Sequence, residues 1–371
     1  MRKPRIRNAV TAMLGATALA GSLLAVPLAA GAEELGPVVA PDVDAAKAAL
    51  GQRLFFDGRL SGDAAVSCAT CHQPEHGFGG SAALSPAYPG SKGFRNTPTL
   101  INTALAENWF HDGRIGTNLN DVNREMITED YLMNMDMRLM QERIKQDPVY
   151  VEMFAAAGYG EPSNGSVRKA IPEYLKTLIS RNVPFDTGEM SDAAQRGLAL
   201  FTGKAGCVTC HDGPLLTDEV RHVTGVPENP DIWSDPMRAM TFAAFASFMG
   251  IENYYNIRHD PGAYIWDHRA EWDPSFVTPT LRELKYTAPY MHNGMFDTLF
   301  EVVAFYNEGG GDVENKDPAL KPLGLSFGEM KDLVAFLEAL SGDPLTGPEF
   351  VPAEPIPTDY PTIEDWREVS N

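Results

Sequence analysis

The stretch CATCH at residues 68–72 decides the fold, and the stretch CVTCH at residues 207–211 repeats it. These two stretches contain all 4 cysteines of the 371-residue chain. Two thiols three residues apart on one helical turn can both reach the vinyl groups of one porphyrin, and the adjacent histidine then lies beneath the iron. A redox-active thiol pair needs no trailing histidine, and a zinc site gives no reason for one at that place. The pattern therefore predicts two covalently bound haem c groups, held by Cys68, Cys71 and His72 and by Cys207, Cys210 and His211.

The N-terminus has the pattern of a secretory signal peptide. Residues 1–7 carry four basic residues and no acidic one, and an apolar stretch from Ala9 to Ala29 leads to small residues before Glu33. Because this stretch is rich in Ala and Gly and a cleavage site follows it, a signal peptide is favoured over a membrane anchor. We therefore predict a signal peptide over residues 1–32, a periplasmic location, and no membrane anchor after cleavage.

Composition limits the classes of partner. The chain has 30 Lys and Arg against 50 Asp and Glu, which gives a formal net charge of −20 at pH 7. So acidic a chain is not expected to bind nucleic acid, because that binding relies on basic side chains. A basic protein partner would instead be attracted. All cysteines belong to the two motifs, and a chain of this length can bury a core without disulfides, so no disulfide scaffold is predicted.

The residues around the two motifs repeat as well. GQRLF at 51–55 and GLALF at 197–201 precede the motifs, and TPTL occurs at both 97–100 and 278–281. Each half is therefore predicted to be one haem-binding unit of the same design. That design is a helix, a haem loop, the TPTL turn and a second helix over the far face of the porphyrin.

Two helices carry clear end signals in the sequence. Ser191 is a good N-cap for a helix before the second motif, and Ser326 with Glu329 forms a capping box. Beyond that box, an apolar stripe predicts a helix that faces the core, formed by Leu333, Phe336, Leu337 and Leu340. The segment 218–275 contains three tryptophans and has no counterpart in the first half. We expect it to pack at the interface between the halves or to shape a partner surface.

The chain resembles the bacterial di-haem cytochrome c peroxidase and MauG family over essentially the whole length after the signal. The resemblance rests on the two C-x-x-C-H motifs, RNTPT at 95–99, F-x-D-G-R at 110–114 and TAPYMHNG at 287–294. It implies a mainly α fold of two tandem cytochrome c-type haem domains related by internal duplication. The implied boundaries are a peroxidatic domain at 33–188, an electron-transfer domain at 189–345 and a proline-rich acidic tail at 346–371.

The resemblance also implies a calcium ion between the two haems. In the family this ion is bound by an asparagine side chain and two backbone carbonyls. The matching positions in this chain are Asn96, Thr287 and Pro289. For Asn96 and Thr287, turn capping is the alternative interpretation.

A further implication concerns the sixth ligand of the second haem. Seventeen residues after the proline of the T-x-P motif, peroxidases of the family carry a methionine and MauG carries a tyrosine; here the position is Tyr306. Tyr306 lies on a helix predicted to begin near Asp297, where an ordinary core residue is the alternative. Phenolate ligation would favour oxidised iron and MauG-like chemistry. Two positions depart from the family: His111 replaces the tryptophan between the haems, and Ala205 replaces the surface tryptophan of MauG.

The first haem is predicted to keep an open coordination position. Some peroxidases of the family block it with a histidine eight residues before the asparagine of R-N-T-P, and this position is Tyr88 here. Alignment of the two halves places Met126 opposite Tyr306. If the Met126 sulfur ligates the iron, the first haem is an electron carrier instead.

Cleavage of peroxide also requires an acid/base near the open site. The position of the family's catalytic glutamate falls at Tyr131, with Glu129 and Asp130 within reach of a small insertion or deletion. The alignment of the halves places Glu125 next to Met126, which makes Glu125 a second candidate. The alternative for both glutamates is a solvated helix face.

Two classes of function follow from these features. The first is a periplasmic di-haem peroxidase that uses hydrogen peroxide at the first haem, with electrons passed through the second haem from a small periplasmic redox protein. Within that class, an alternative is MauG-like, peroxide-dependent oxidation of side chains in a protein substrate. The second class is a non-catalytic di-haem electron-transfer protein.

Overall fold

The computed structural model describes residues 34–116 and 118–346. The predicted signal peptide and all but the first residue of the predicted tail lie outside the described residues. The described part of the chain is mainly helical, as predicted. Within it, no helix combines the length and the apolar character needed to cross a membrane.

The helices and strands of the described residues follow one another in short segments. The α-helices are α1 (Ala45–Phe55), α2 (Cys68–Cys71), α3 (Leu119–Thr128), α4 (Met137–Lys145), α5 (Pro148–Ala156), α6 (Asn164–Leu175), α7 (Pro184–Thr187), α8 (Asp192–Thr202), α9 (Asp231–Ser234), α10 (Pro236–Phe248), α11 (Tyr264–Asp267), α12 (Leu299–Asn307) and α13 (Phe327–Glu338). The 3-10 turns are Gly58–Leu60, Pro74–His76, Thr103–Leu105, Cys207–Thr209, Tyr254–Asn256, Ala270–Trp272 and Leu284–Tyr286. Strand β1 (Asn108–Trp109) pairs antiparallel with β2 (Ile115–Gly116), and β3 (Arg221–His222) pairs antiparallel with β4 (Phe276–Val277).

Helix α1 of the first half packs closely against α6. The two backbones meet at Gly51, where an added Cβ would lie 2.0 Å from the carbonyl oxygen of Ala170. Four residues later, Phe55 is fully buried and contacts Tyr174 with ring centroids 5.3 Å apart. The glycine of GQRLF therefore permits the crossing of the two helices, and its phenylalanine fills the core beside it.

Helix α8 of the second half packs against α13 in the same manner. A Cβ on Gly197 would lie 2.0 Å from the carbonyl oxygen of Asp332, and Phe201 contacts Phe336 at 5.1 Å. The predicted end signals are confirmed, because Ser191 accepts a hydrogen bond from Ala194 N and the Ser326 capping box is present. The predicted stripe is also confirmed, since all four of its residues are buried.

The segment 218–275 packs against the first half. Within it, Phe242, Phe245 and Ile265 form a buried cluster with Leu84 and Phe94 of the first half. Its residue Asp260 also forms an ion pair with Arg95. The segment therefore packs against Phe94 and Arg95 of the first half.

Substitution of the two crossing glycines by alanine is expected to destabilise the fold. Gly51→Ala and Gly197→Ala each force a methyl group onto a backbone carbonyl, so each should lower the free energy of unfolding by about 1–3 kcal/mol. Denaturant unfolding checks this.

Glycines on the partner helices provide matched controls. Gly165 in α6 and Gly328 in α13 have no atom within 4 Å of an added Cβ. Alanine at these positions should leave stability unchanged or raise it slightly. Equal losses at all four positions would show that close approach is not the cause.

Candidate active site

The first C-x-x-C-H motif presents its histidine in one defined orientation. Cys68 and Cys71 begin and end the single turn α2, and His72 follows as its C-cap. The Nδ1 atom of His72 lies 3.1 Å from the carbonyl oxygens of both Phe78 and Pro98. Because a carbonyl can only accept, Nδ1 carries the proton and Nε2 keeps the lone pair. This is the arrangement of an imidazole that ligates a metal through Nε2.

The second motif repeats this arrangement with different side chains. His211 Nδ1 donates to the carbonyl oxygen of Leu216 at 2.9 Å. Phe78 and Leu216 both have a positive φ, of 55° and 56°, which turns their carbonyls toward the imidazoles. The TPTL turns hold these loops, since Thr99 Oγ1 donates to Gly77 O and Thr280 Oγ1 donates to Leu215 O, both at 2.6 Å.

One continuous cavity of ≈ 690 Å³ joins the two motifs. Most of its walls are apolar, and all four cysteines and both motif histidines line it. The four thiols are free, and burial raises the pKa of Cys68 and Cys207 to about 12. Burial lowers the pKa of His72 to about 4, so its imidazole is neutral. Neutral imidazoles facing apolar walls beside paired thiols fit two porphyrins bound through their iron and their vinyl groups.

The region between the motifs is held by a hydrogen bond within the first half and by one that crosses to the second half. The backbone N–H of Asn96 donates to His292 O at 2.7 Å, and His111 Nε2 donates to Asn96 O at 2.9 Å. The ring of His292 stacks on Phe276 with centroids 3.7 Å apart. Burial lowers the pKa of His111, and it lowers that of His292 to about 3, so both rings are neutral. The structure places His111 in the cavity wall between the two motifs.

The three positions that match the family's calcium ligands line the same cavity. Asn96, Thr287 and Pro289 all line the cavity. The side-chain amide nitrogen of Asn96 donates to the carbonyl oxygens of Ala82 and Ala83, at 3.0 and 3.2 Å. These bonds fix the amide with its oxygen as an acceptor. An amide oxygen and backbone carbonyls are ligands that suit Ca²⁺.

Two arginines bring positive charge to the cavity beside the first motif. Arg95 contacts Asp112 at 2.6 Å and binds both oxygens of Asp260, at 2.6 and 2.8 Å. Burial opposes ionisation of Asp260, but Arg95 outweighs it and lowers the pKa of that carboxyl to about 2. Arg114 contacts Asp112 at 3.1 Å and Glu125 at 2.8 Å.

The structure separates the predicted acid/base candidates from the cavity surface. Glu125 approaches the cavity only through its ion pair with Arg114, which does line the cavity. Glu129 is the C-cap of α3, and its pKa is raised by burial and by the neighbouring Glu125 charge. Met126 and Tyr131 both line the cavity, whereas neither glutamate does.

At the position of the family's blocking histidine, the structure turns the side chain away from the cavity. Pro86 and Ala87 line the cavity here. Tyr88 instead packs against the core of the first half, with its hydroxyl near Gly62.

Tyr306 lines the cavity beside the second motif. Burial raises the pKa of its hydroxyl to about 12, and an interaction with the Thr224 hydroxyl acts in the opposite direction. Tyr306 is the eighth residue after the N-cap Thr298 of α12, and Met126 is the eighth after the N-cap Asn118 of α3. The two side chains therefore occupy the same position on their helices, as the alignment of the halves predicts.

Three site features have no counterpart in the sequence analysis. Asp260 is the buried partner of Arg95 and comes from the inserted segment. His222 is held between Asp317 at 2.6 Å and Asp218 at 3.0 Å, at the edge of the second motif. Tyr131 was named only as a matching position and was given no role, yet it lines the cavity. Asp260 and His222 lie in no recognisable motif, so no pattern in the sequence indicated them.

The comparisons with known proteins point to the same family. The family model described as "Di-haem cytochrome c peroxidase" matches residues 45–194. "Cytochrome-c peroxidase IdrP2" of Pseudomonas sp. (strain SCT) is 46% identical over 352 residues, covering 91% of this chain and 94% of that protein. "Methylamine utilization protein MauG" of Methylorubrum extorquens is 34% identical over 306 residues, covering 80% and 79%. A solved MauG-like protein associated with microbial copper homeostasis superposes with a TM-score of 0.69 at 25% identity, covering 84% of this chain and 94% of that one.

Loss of the Asp260 carboxylate is expected to destabilise the protein strongly. Asp260→Asn leaves the buried Arg95 charge without its bidentate partner, which should lower the free energy of unfolding by about 3–5 kcal/mol. The exposed pair of Arg196 and Asp332, at 2.7 Å, gives the control, and Asp332→Asn should change stability by about 0–1 kcal/mol. Comparable losses for the two variants in chemical denaturation would contradict this account.

The same carboxylate predicts the direction of acid sensitivity. The pKa of Asp260 is about 2 in the folded protein, below its ordinary value of 3.8. Its contribution to stability is therefore fully present above pH 3.8 and is lost as the pH falls toward 2. Thermal unfolding of the wild type and Asp260→Asn should show a difference in Tm that narrows over this interval. A difference that stays constant down to pH 2 would contradict the assignment.

Proposed function

Because the chain belongs to the di-haem cytochrome c peroxidase and MauG family, we propose that this haem peroxidase-type oxidoreductase acts in the periplasm on hydrogen peroxide at its first haem. Electrons would reach that haem through the second one, from a small redox protein. The observation that carries the proposal is the single cavity that joins both C-x-x-C-H motifs. The relatives named cytochrome-c peroxidase support the reaction class.

The chain's own residues would hold both haems in this cavity. Thioether bonds would form at the cysteines of each motif, and Nε2 of His72 and His211 would ligate the irons. Bound haem would supply the iron chemistry that reduces peroxide and carries electrons. The apolar walls would exclude water from the porphyrins, and the carbonyls at Phe78 and Leu216 would hold the ligating imidazoles in place.

We also infer that the two halves are tandem haem domains that arose by internal duplication, at residues 33–188 and 189–345. The inference rests on three pairs of equivalent contacts. The paired features are the crossing glycines, the threonine bonds of the TPTL turns and the positive-φ residues that bond the motif histidines. A calcium ion held by Asn96, Thr287 and Pro289 would then lie where the halves meet.

Tyr306 would supply a second protein ligand to the iron of the second haem. Its place in the cavity wall and its helix position support this role. A phenolate ligand favours oxidised iron, which would suit the second candidate function. That function is MauG-like, peroxide-dependent oxidation of side chains in a protein substrate.

Proton movement near the first haem would involve the charged residues at the end of α3. Because burial raises the pKa of Glu129, this carboxyl would hold its proton to a higher pH than an exposed glutamate does. Glu125 would hold the Arg114 guanidinium toward the cavity, where positive charge stabilises a peroxide anion. His111, which is neutral and bonded to Asn96, would bridge the space between the haems.

The resting protein is expected to contain one open haem. The ferric EPR spectrum of the purified protein should therefore show a high-spin signal from the first haem and a low-spin signal from the second. Two low-spin signals alone would favour the non-catalytic electron-transfer protein, with Met126 as a ligand.

Removal of the Tyr306 hydroxyl should alter only the second haem. Tyr306→Phe is expected to abolish or shift the low-spin signal and to leave the high-spin signal in place. Tyr290→Phe is the control, because Tyr290 also lines the cavity but donates its hydroxyl to Leu284 O at 2.9 Å. A low-spin signal that is unchanged in Tyr306→Phe would contradict ligation.

A further inference from the structure

Among the described first-half residues that line the cavity there is a tyrosine but no carboxylate; the lining carboxylates Glu219 and Asp317 both belong to the second half. The residues of the first half that line the cavity include Arg95, Arg114, His111 and Tyr131, but no Asp or Glu of the described residues 34–116 and 118–188. Glu125 and Glu129 do not line the cavity, and Glu125 forms an ion pair with Arg114. Tyr131, two residues after Glu129, does line it.

The backbone and ring of Tyr131 are fixed from several directions. Its carbonyl oxygen accepts a hydrogen bond from Tyr88 N at 2.9 Å. Its ring contacts Phe94 and Phe245, with centroid separations of 6.0 and 5.8 Å. Arg114 lies over the same Phe245 ring at 5.4 Å. The Tyr131 ring and the Arg114 guanidinium are therefore both positioned by contact with Phe245.

Burial favours the protonated form of this hydroxyl, although the nearby Arg114 charge opposes it. Burial raises the pKa of Tyr131 to about 12, and the Glu129 carboxylate acts in the same direction against the charge of Arg114. A phenol in this state donates a hydrogen bond but does not lose its proton near neutral pH. A bound oxygen species in the cavity would thus meet a fixed donor beside a fixed positive charge.

We propose that the Tyr131 hydroxyl, positioned beside Arg114, is the hydrogen-bond donor to peroxide in the first-haem cavity. The role rests on the proposed peroxidase function, and it assigns to a tyrosine the contact that the sequence analysis gave to Glu129 or Glu125. Those carboxylates then act behind it, Glu125 on Arg114 and Glu129 on the Tyr131 proton. The Tyr131 hydroxyl, and not Glu125 or Glu129, then decides how strongly the cavity holds an oxygen species or a halide anion.

Fluoride binding to the ferric holoprotein tests this role without turnover. Fluoride occupies an open sixth position and accepts a hydrogen bond, and such a bond to an anion is worth a factor of about 10 or more in affinity. Tyr131→Phe should therefore raise the fluoride Kd about tenfold or more, measured by optical titration. Tyr131→Gln, which restores a donor, should recover part of the affinity, and the rate of reaction with peroxide should follow the same order.

The controls separate this role from a structural one. Tyr254 belongs to the same apolar cluster but does not line the cavity, so Tyr254→Phe should keep the wild-type fluoride Kd. An unchanged Kd in Tyr131→Phe overturns the inference and leaves the peroxidase proposal standing. A large loss in Glu129→Gln with none in Tyr131→Phe also overturns it, in favour of the carboxylate. Wild-type protein that binds neither fluoride nor peroxide refutes the peroxidase proposal itself.

Discussion

The hydrogen bond from each motif histidine to a loop carbonyl is the constraint on which the rest of the site depends. It fixes which ring nitrogen carries the proton, and so it decides that the other nitrogen faces the cavity. The loop that supplies the carbonyl must in turn be held, which explains the threonines of both TPTL turns. The helix crossings at Gly51 and Gly197 then place each loop against a rigid core. Local bonds of this kind let two halves with different side chains build the same pocket.

The sequence predicted the elements whose signals are local. The mainly helical fold, the cap at Ser191, the capping box at Ser326 and the apolar stripe of α13 all follow from patterns within one or two turns of helix. The family also follows from sequence, because two C-x-x-C-H motifs, RNTPT and TAPYMHNG are specific. The predicted haem ligands and Tyr306 line one cavity. Their roles there depend on the chemistry of their side chains and not on their spacing in the sequence.

What could not be predicted depends on contacts that are distant in the chain. Asp260 lies 165 residues from Arg95, so no pattern connects the two charges. The positive φ of Phe78 and Leu216 is also not indicated by the sequence, because neither residue is a glycine. The sequence positions along and just after α3 indicated Glu125 and Glu129 as candidates. Whether a side chain lines a cavity, however, depends on the path of the backbone over a single turn. Here the backbone after α3 brings Tyr131, and not Glu129, to the wall.

The shared cavity has a consequence for how the protein matures. Both halves line one cavity, so a group bound in either part of it would contact walls that both halves contribute. The hydrogen bond from Asn96 N to His292 O ties the two halves together in this region. Binding of one group would therefore order part of the wall that meets the other. Uptake of two groups by one shared wall would therefore be cooperative.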